Sequence, residues 1–281
     1  MDQKYINLFD RFTHGGMNRR EFMEKLTILA GSTTAATALL PILENNYAHA
    51  DILPEGDPRI VSETLTYAGG SGYLAKPSAE GKYPGVLVIH ENRGLNPHIK
   101  DVARRMATEG FAALAPDYLS DLGGTPEDAD KARDMFGTLK PEGINASSSA
   151  ALAAVKANPA SNGKSGAMGF CWGGGTVNAL AVADPGLGAG VAYYGRQAAD
   201  ADVPKITAPL LLHYASLDER INAGIAAFET ALKAAGKTYE LHMYEGANHA
   251  FNNDTNAARY NKDVAELAWS RTVAFLKKHV G

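Results

Sequence analysis

The feature that most constrains the fold is a series of short apolar runs, each bounded by glycine or proline and separated by helical segments. Residues 85–90 and 209–214 are almost continuously apolar, which is typical of strands buried on both faces of a sheet. Ile225, Phe228 and Leu232 form the i, i+3, i+7 stripe of a helix that lies on a sheet. This alternation predicts an α/β fold with a mostly parallel central sheet and helices on both faces.

The same pattern continues along the chain from residue 51 onward. The predicted strands follow an antiparallel hairpin of residues 64–67 and 72–75, and they cover residues 85–90, 111–116, 165–170, 189–194, 209–214 and 238–244. The predicted helices cover residues 98–109, 126–136, 146–157, 174–183, 223–235 and 262–279. In such folds, sites form at the carboxyl ends of the strands, so the residues that follow each strand are the functional candidates.

The composition narrows the class of protein. Hydrophobic residues make up 45% and charged residues 21%, which excludes a disordered chain and a polytopic membrane protein. The net charge of -4 leaves no basic excess to neutralise phosphates, so we expect no nucleic-acid partner. Cys171 is the single cysteine, which excludes an internal disulfide and a multi-cysteine metal site.

The first fifty residues differ from the rest of the chain. Arg19 and Arg20 precede a moderately apolar run over residues 26–43, and the segment ends in Ala48-His49-Ala50, a small-x-small pattern of the kind that a signal peptidase cuts. This resembles a bacterial twin-arginine export signal. We therefore expect residues 1–50 to be an export signal and residues 51–281 to be a domain that is periplasmic or secreted.

Two alternatives remain for this segment. It could be an N-terminal helix that packs on the domain, or an uncleaved signal that anchors the protein in a membrane. For a cleaved signal, the expected partners are the twin-arginine export machinery and a signal peptidase. No stable membrane association is then expected after cleavage.

The strongest chemical motif is Gly169-Phe170-Cys171-Trp172-Gly173, between a predicted strand and a predicted helix. It matches the G-x-nucleophile-x-G elbow, with cysteine where serine is commoner. The glycines are needed because the nucleophile sits in a sharp, strained turn. The N-terminus of the following helix favours a thiolate and a developing oxyanion. Taken alone, the motif also fits a buried cysteine at a tight turn.

Two further strand ends supply the partners of a nucleophile. Asp218 follows the strand of residues 209–214, and His249 lies in a short loop before the last helix. The order nucleophile, acid, histidine is the chain order of α/β-hydrolases. The three residues together therefore predict a Cys171–His249–Asp218 triad on an α/β-hydrolase fold.

Three motifs carry a family resemblance: His90-Glu91-Asn92-Arg93-Gly94, the elbow, and Gly246-Ala247-Asn248-His249-Ala250-Phe251. The chain resembles the dienelactone hydrolase family over roughly residues 60–280. The resemblance implies that Cys171 is the nucleophile, His249 the base and Asp218 the residue that orients it. It also implies that Glu91 contacts the resting thiol and swings away when substrate binds. The backbone N–H groups of Trp172 and of Asn92, the latter by family position, are the expected oxyanion donors.

The sequence departs from the family in its substrate-binding residues. Two arginines hold a substrate carboxylate in well-known members, but Asp121 and Asn253 occupy those places here. A dienelactone acid is therefore a doubtful natural substrate. The candidates for the substrate pocket are Arg93, Tyr118, Tyr193 and Phe251, although the aromatic residues fit the core equally well.

The sequence thus predicts a hydrolase of small esters or lactones that works through a thioester acyl-enzyme. The chemistry needs no metal and no organic cofactor, and the expected partner is a small-molecule substrate. The alternatives are thioester hydrolysis or acyl transfer on the same triad, and a catalytically silent hydrolase fold that binds a ligand.

Overall fold

The computed structural model describes residues 1–49 and 52–281. The predicted cleavage point between Ala50 and Asp51 therefore lies outside the described residues. Within them, one sheet has the strand order β1-β2-β4-β3-β5-β6-β7-β8. Its strands are β1 Ile60–Tyr67, β2 Gly70–Pro77, β3 Tyr83–Ile89, β4 Ala112–Asp117, β5 Ser161–Phe170, β6 Gly190–Tyr193, β7 Leu210–Ala215 and β8 Tyr239–Tyr244.

Only β2 runs against the other strands of this sheet. It pairs antiparallel with both β1 and β4, whereas every pairing from β4 to β8 is parallel. The parallel strands end at one edge, which gathers the loops after β3, β5, β7 and β8. The predicted α/β-hydrolase fold, with its mostly parallel sheet and its leading hairpin, is confirmed.

Ten α-helices accompany the sheet in the described part of the chain. They are α1 Gln3–Thr13, α2 Arg19–Ala30, α3 Thr33–Leu43, α4 Pro97–Thr108, α5 Ala129–Phe136, α6 Pro141–Ala157, α7 Trp172–Ala183, α8 Glu219–Asn222, α9 Ile225–Ala234 and α10 Lys262–Val280. The predicted helix over residues 126–136 starts later, at Ala129, because the side chain of Asp128 caps it by accepting from the N–H groups of Asp130 and Lys131.

The two faces of the sheet carry separate apolar cores. Alternate residues of β3 point to opposite faces, so that Val86 and Val88 pack with α4 and α10. Leu87 and Ile89 pack instead with α5, α6, α7 and α9. Helices therefore cover both faces of the sheet, and the predicted site residues lie in the loops at its carboxyl edge.

The N-terminal segment, defined as α1 to α3, folds back over that edge. Phe12, Phe22, Leu26 and Leu43 bury their side chains in a small core of its own, which also contacts Ala258 of the α/β domain. The side chains of Phe12 and Phe22 stack with ring centroids 4.6 Å apart. The segment thus forms a packed helical unit on the domain.

Among the described residues, no single helix has both the length and the apolar character to cross a membrane. The helices α2 and α3 together meet that length and composition, but they are bent by 113° relative to each other.

Candidate active site

Cys171 occupies a strained turn between β5 and α7. Its φ of 55° and ψ of -113° are values that a residue with a side chain rarely adopts. A Cβ atom at Gly169 would overlap the carbonyl oxygen of Gly173, and one at Gly173 would overlap the carbonyl oxygens of Ile89 and His90. Both glycines of the motif are therefore required by close backbone contacts.

His249 and Asp218 form a buried pair beside this turn. The Nδ1 atom of His249 lies 2.5 Å from Oδ2 of Asp218, and the two residues are 5% and 4% exposed. Burial opposes ionisation of Asp218, but the charge of His249 and the hydrogen bond to it outweigh burial, so the pKa of Asp218 lies below its ordinary value. The carboxylate thus fixes the ring of His249 with Nε2 free, and Nε2 has no hydrogen-bond partner among the described residues.

A second histidine, which the sequence analysis did not single out, contacts the thiol directly. The Nε2 atom of His14, just after α1, lies 3.2 Å from Sγ of Cys171. A ring nitrogen of His249 lies within 4.8 Å of both the sulfur and the His14 ring. The acid–histidine spacing of Asp10 and His14 on one helical face was the only sequence signal for this arrangement, and it is a weak one.

Glu91 is buried next to these groups but pairs with a different residue. Its Oε2 atom accepts a hydrogen bond of 2.9 Å from Nδ2 of Asn253, and its Oε1 atom has no partner among the described residues. The thiol contact that the family resemblance assigns to Glu91 is made by His14 in this structure.

The two expected oxyanion donors belong to the elbow and to the loop after β3. Trp172 is the first residue of α7, where a backbone N–H has no partner within the helix. Asn92 lies in the loop after β3, and its side-chain Nδ2 donates a hydrogen bond of 2.8 Å to the carbonyl oxygen of Thr13. The loop that carries the second donor therefore also holds the N-terminal segment.

Three of the four pocket candidates pack in the core instead of lining a cavity. Tyr118 is buried against the rings of His90 and Trp172, and its hydroxyl pairs with Ser148 at 2.7 Å. Tyr193 is fully buried with its hydroxyl 2.6 Å from Thr272, and Phe251 is fully buried beside Tyr193, Tyr194 and Tyr244. The contacts of these three side chains are those of core residues.

Two cavities meet at the thiol. One, of about 510 Å³, is lined by Glu91, Asn92, Arg93 and Arg259 together with His14 of the N-terminal segment. Arg93 is held there by a 2.9 Å ion pair with Asp130. The other, of about 940 Å³, also reaches His14 and Cys171, and its walls include Phe136, Ile144, Trp172, Tyr194, Arg196 and Arg220. Both have the size of small-molecule sites.

The side chains around the thiol offer acid–base and nucleophilic chemistry. By spacing alone, His14, Cys171 and His249 could also surround a metal ion. Each of these contacts is already explained by a hydrogen bond or an ion pair within the protein: Asp218 holds His249, Asp10 holds His14, and His14 holds the thiol.

Comparison with known proteins agrees with this fold. A sequence model of the dienelactone hydrolase family matches residues 71–280. The protein named "Putative carboxymethylenebutenolidase" of Saccharolobus solfataricus is 35% identical over 242 residues, which cover 73% of this chain and 93% of that protein. The "Putative hydrolase fragment YghX" of Escherichia coli is 49% identical over 113 residues, which cover 38% of this chain and 97% of the fragment.

Solved structures give the same assignment. The crystal structure of the "Putative Dienelactone Hydrolase" from Klebsiella pneumoniae has a TM-score of 0.72 at 27% identity, and the match covers 78% of this chain and 98% of that one. The dienelactone hydrolase-like phosphotriesterase P91, from metagenomic libraries, has a TM-score of 0.71 at 25% identity, covering 79% and 100%. The chain belongs to the dienelactone hydrolase family.

Proposed function

We propose that this hydrolase cleaves small carboxylic esters or lactones with Cys171 as nucleophile, His249 as base and Asp218 as the residue that orients His249. The substrate class is supported by relatives named as carboxymethylenebutenolidases and as a lactonase. The observation that carries the proposal is the buried Asp218–His249 pair, which leaves one ring nitrogen of His249 unpaired and close to a thiol at the elbow.

The proposed reaction has two steps. His249 takes the proton of the Cys171 thiol, the thiolate attacks the carbonyl carbon, and the oxyanion binds the backbone N–H groups of Trp172 and Asn92. The protonated His249 gives that proton to the departing alkoxide, so that an alcohol leaves and a thioester remains. His249 then takes a proton from water, the hydroxide attacks the thioester, the C–S bond breaks to release the carboxylic acid, and the proton on His249 returns to the sulfur. Each oxyanion donor of this kind contributes about 3–4 kcal/mol to lowering the barrier.

The reaction is tested with the full chain and a panel of aryl esters, lactones and thioesters. Turnover by the wild type that disappears in Cys171→Ala is expected, with a weaker loss in Cys171→Ser. If thioesters are the best substrates, or if added alcohols capture the acyl group, the activity is thioester hydrolysis or acyl transfer instead. A folded wild type with a reduced thiol and no turnover would contradict the proposal and would favour a ligand-binding role.

We also propose export by the twin-arginine route, to the periplasm or out of the cell, on the basis of Arg19, Arg20 and the apolar run that follows. Both arginines are exposed, and each forms an ion pair: Arg19 with Asp130 at 2.7 Å and Arg20 with Glu24 at 3.0 Å. Lysine at both positions should trap the protein in the cytoplasm, and normal export of that variant would contradict the route. The intact mass of the exported protein then separates cleavage after Ala50 from an uncleaved membrane anchor.

A further inference from the structure

His14 is a buried titratable residue that the proposed mechanism does not use. It lies outside residues 71–280, which match the family, and its Nε2 atom lies 3.2 Å from Sγ of the proposed nucleophile. Its side chain is 15% exposed and lines both cavities. A histidine at this distance can exchange a proton with the thiol.

The setting of His14 resembles that of His249 in part. The Nδ1 atom of His14 donates to the backbone oxygen of Asp10 at 2.7 Å and lies 3.2 Å from its carboxylate, whereas Nδ1 of His249 donates directly to the carboxylate of Asp218 at 2.5 Å. The backbone oxygen fixes the tautomer of His14, and the nearby carboxylate stabilises the protonated ring. The thiol is thus flanked by two aspartate–histidine pairs, one from each part of the chain.

Asp10 is in turn held by arginines of the α/β domain. Arg220 approaches it at 3.4 Å and Arg259 at 4.0 Å. The ionisable groups that face this pair are Cys171 and His249 around His14, and Arg220, Arg259 and His249 around Asp10. Burial lowers the pKa of His14, but the charge of Cys171 and the hydrogen bonds to Asp10 and Cys171 outweigh burial, so the pKa lies above its ordinary value.

The α/β domain also provides specific partners for the residues around His14. Asn92 binds the carbonyl oxygen of Thr13 at 2.8 Å, and the guanidinium of Arg133 lies 4.7 Å from the ring centre of Phe12. Asn256 binds the carbonyl oxygen of Leu43 at 2.7 Å. These contacts fix the end of α1 above the elbow, and with it the position of the imidazole.

We propose that His14 is a second catalytic base, supplied by the N-terminal segment, which holds the resting nucleophile as a thiolate. The S–H bond of Cys171 breaks and its proton binds Nε2 of His14, which leaves a thiolate–imidazolium pair. When the thiolate attacks, His14 gives that proton to the departing alkoxide, and His249 is free to deprotonate water. After the thioester is hydrolysed, the proton on His249 returns to His14 through the sulfur. This inference rests on the proposed role of Cys171 as nucleophile. It applies to the chain that retains residues 1–50, because cleavage after Ala50 would remove His14.

Because Cys171 is the single cysteine, its alkylation by iodoacetamide reports on this one thiol in the full chain. We expect His14→Gln to slow alkylation at pH 6 by about tenfold or more, and to move the midpoint of the pH profile up toward about 8.5, the value of an ordinary cysteine. The ester kcat/KM at pH 7 should fall by about 10²-fold or more, within the range of general acid–base effects. Asp10→Asn should shift the profile in the same direction while keeping the imidazole, and His279→Gln on α10 is the matched control.

Three results would overturn the inference. An unchanged midpoint in His14→Gln would show that His14 takes no proton from the thiol. Faster alkylation at every pH, or faster turnover, would show that His14 only covers the thiol. Loss of the effect after treatment with a chelator would show that a metal ion had caused it. If His14→Gln does not fold, Asp10→Asn and its pH profile decide the question. Loss of turnover in Cys171→Ala tests the proposed function separately, since the alkylation profiles do not depend on any substrate.

Discussion

Replacing Asp218 by asparagine tests how His249 is held, at nearly constant side-chain size. The carboxylate can only accept a hydrogen bond, so the 2.5 Å contact places the proton of the neutral ring on Nδ1. An amide can also donate, and it then leaves the ring proton on Nε2, the nitrogen that must accept a proton from water. The variant therefore keeps the contact but disables the base.

The expected loss is large because the pair is buried and water cannot replace the carboxylate. The corresponding substitution in a serine protease triad lowers kcat by roughly 10⁴. At 1.36 kcal/mol per factor of ten, that is about 5 kcal/mol of transition-state stabilisation. The fold should survive, because Oδ1 of Asp218 caps α8 by accepting from the N–H of Ile221, and asparagine caps a helix equally well.

The measurement is the kcat/KM of the full chain with its best ester, with urea denaturation of both proteins as the check on folding. Asp263→Asn, an exposed residue in the first turn of α10, is the matched control and should leave kcat/KM unchanged. A folded Asp218→Asn protein within about threefold of the wild-type kcat/KM would refute the assignment of Asp218 and the tautomer argument.

Three other substitutions or conditions test the surroundings of the site. Gly173→Ala places a Cβ against two backbone carbonyls, so we expect it to lower the free energy of unfolding, measured in urea, by at least about 2 kcal/mol. In the control Gly175→Ala, the new Cβ meets its nearest atom at an ordinary 3.4 Å, so the free energy of unfolding should fall by less than half of that amount. Phe22→Ala, fully buried in the N-terminal segment, should lower the stability of that segment by about 3–5 kcal/mol, seen as faster proteolysis between α1 and α3 while the α/β domain resists. Burial lowers the pKa of His90 from 6.5 to about 4. As the pH falls, His90 therefore binds a proton in the unfolded chain before it binds one in the folded chain. The free energy of unfolding should therefore decrease from pH 6.5 toward pH 4, by roughly 3 kcal/mol from this residue, and His90→Gln should flatten that part of the profile in urea titrations.

The alternation of apolar runs and helical segments predicted the α/β fold. The rule that sites form at the carboxyl ends of strands then predicted which residues lie at that edge of the sheet. Cys171, Asp218 and His249 could be found because the elbow needs glycines at fixed positions and because parallel strands end together. The aromatic pocket candidates could not be separated from core residues in this way. Tyr193 ends a strand and Phe251 lies in a loop after one, but their burial is decided by packing partners such as Thr272 of α10 and Tyr244 of β8, which the sequence pattern does not identify.

The contact of His14 had no comparable signal in the sequence. An apolar stretch after two arginines has the composition of an export signal whether or not it packs on the α/β domain. An export signal and a packed helix need the same moderate hydrophobicity. The side-chain contacts of Asn92 with Thr13 and of Arg133 with Phe12 hold the end of α1, and with it His14, beside the thiol. The sequence pattern does not predict either contact.

The two cavities that meet at Cys171 bear on the fate of the proposed acyl-enzyme. If the acyl group fills one cavity, the other offers a second path by which water or an alcohol can reach the thioester. The partition between hydrolysis and acyl transfer then depends on whether water or an alcohol occupies the free side. Bulky substitutions at Ala179 or Val182, which line only the larger cavity, would shift that ratio while leaving the acylation rate of a small ester unchanged.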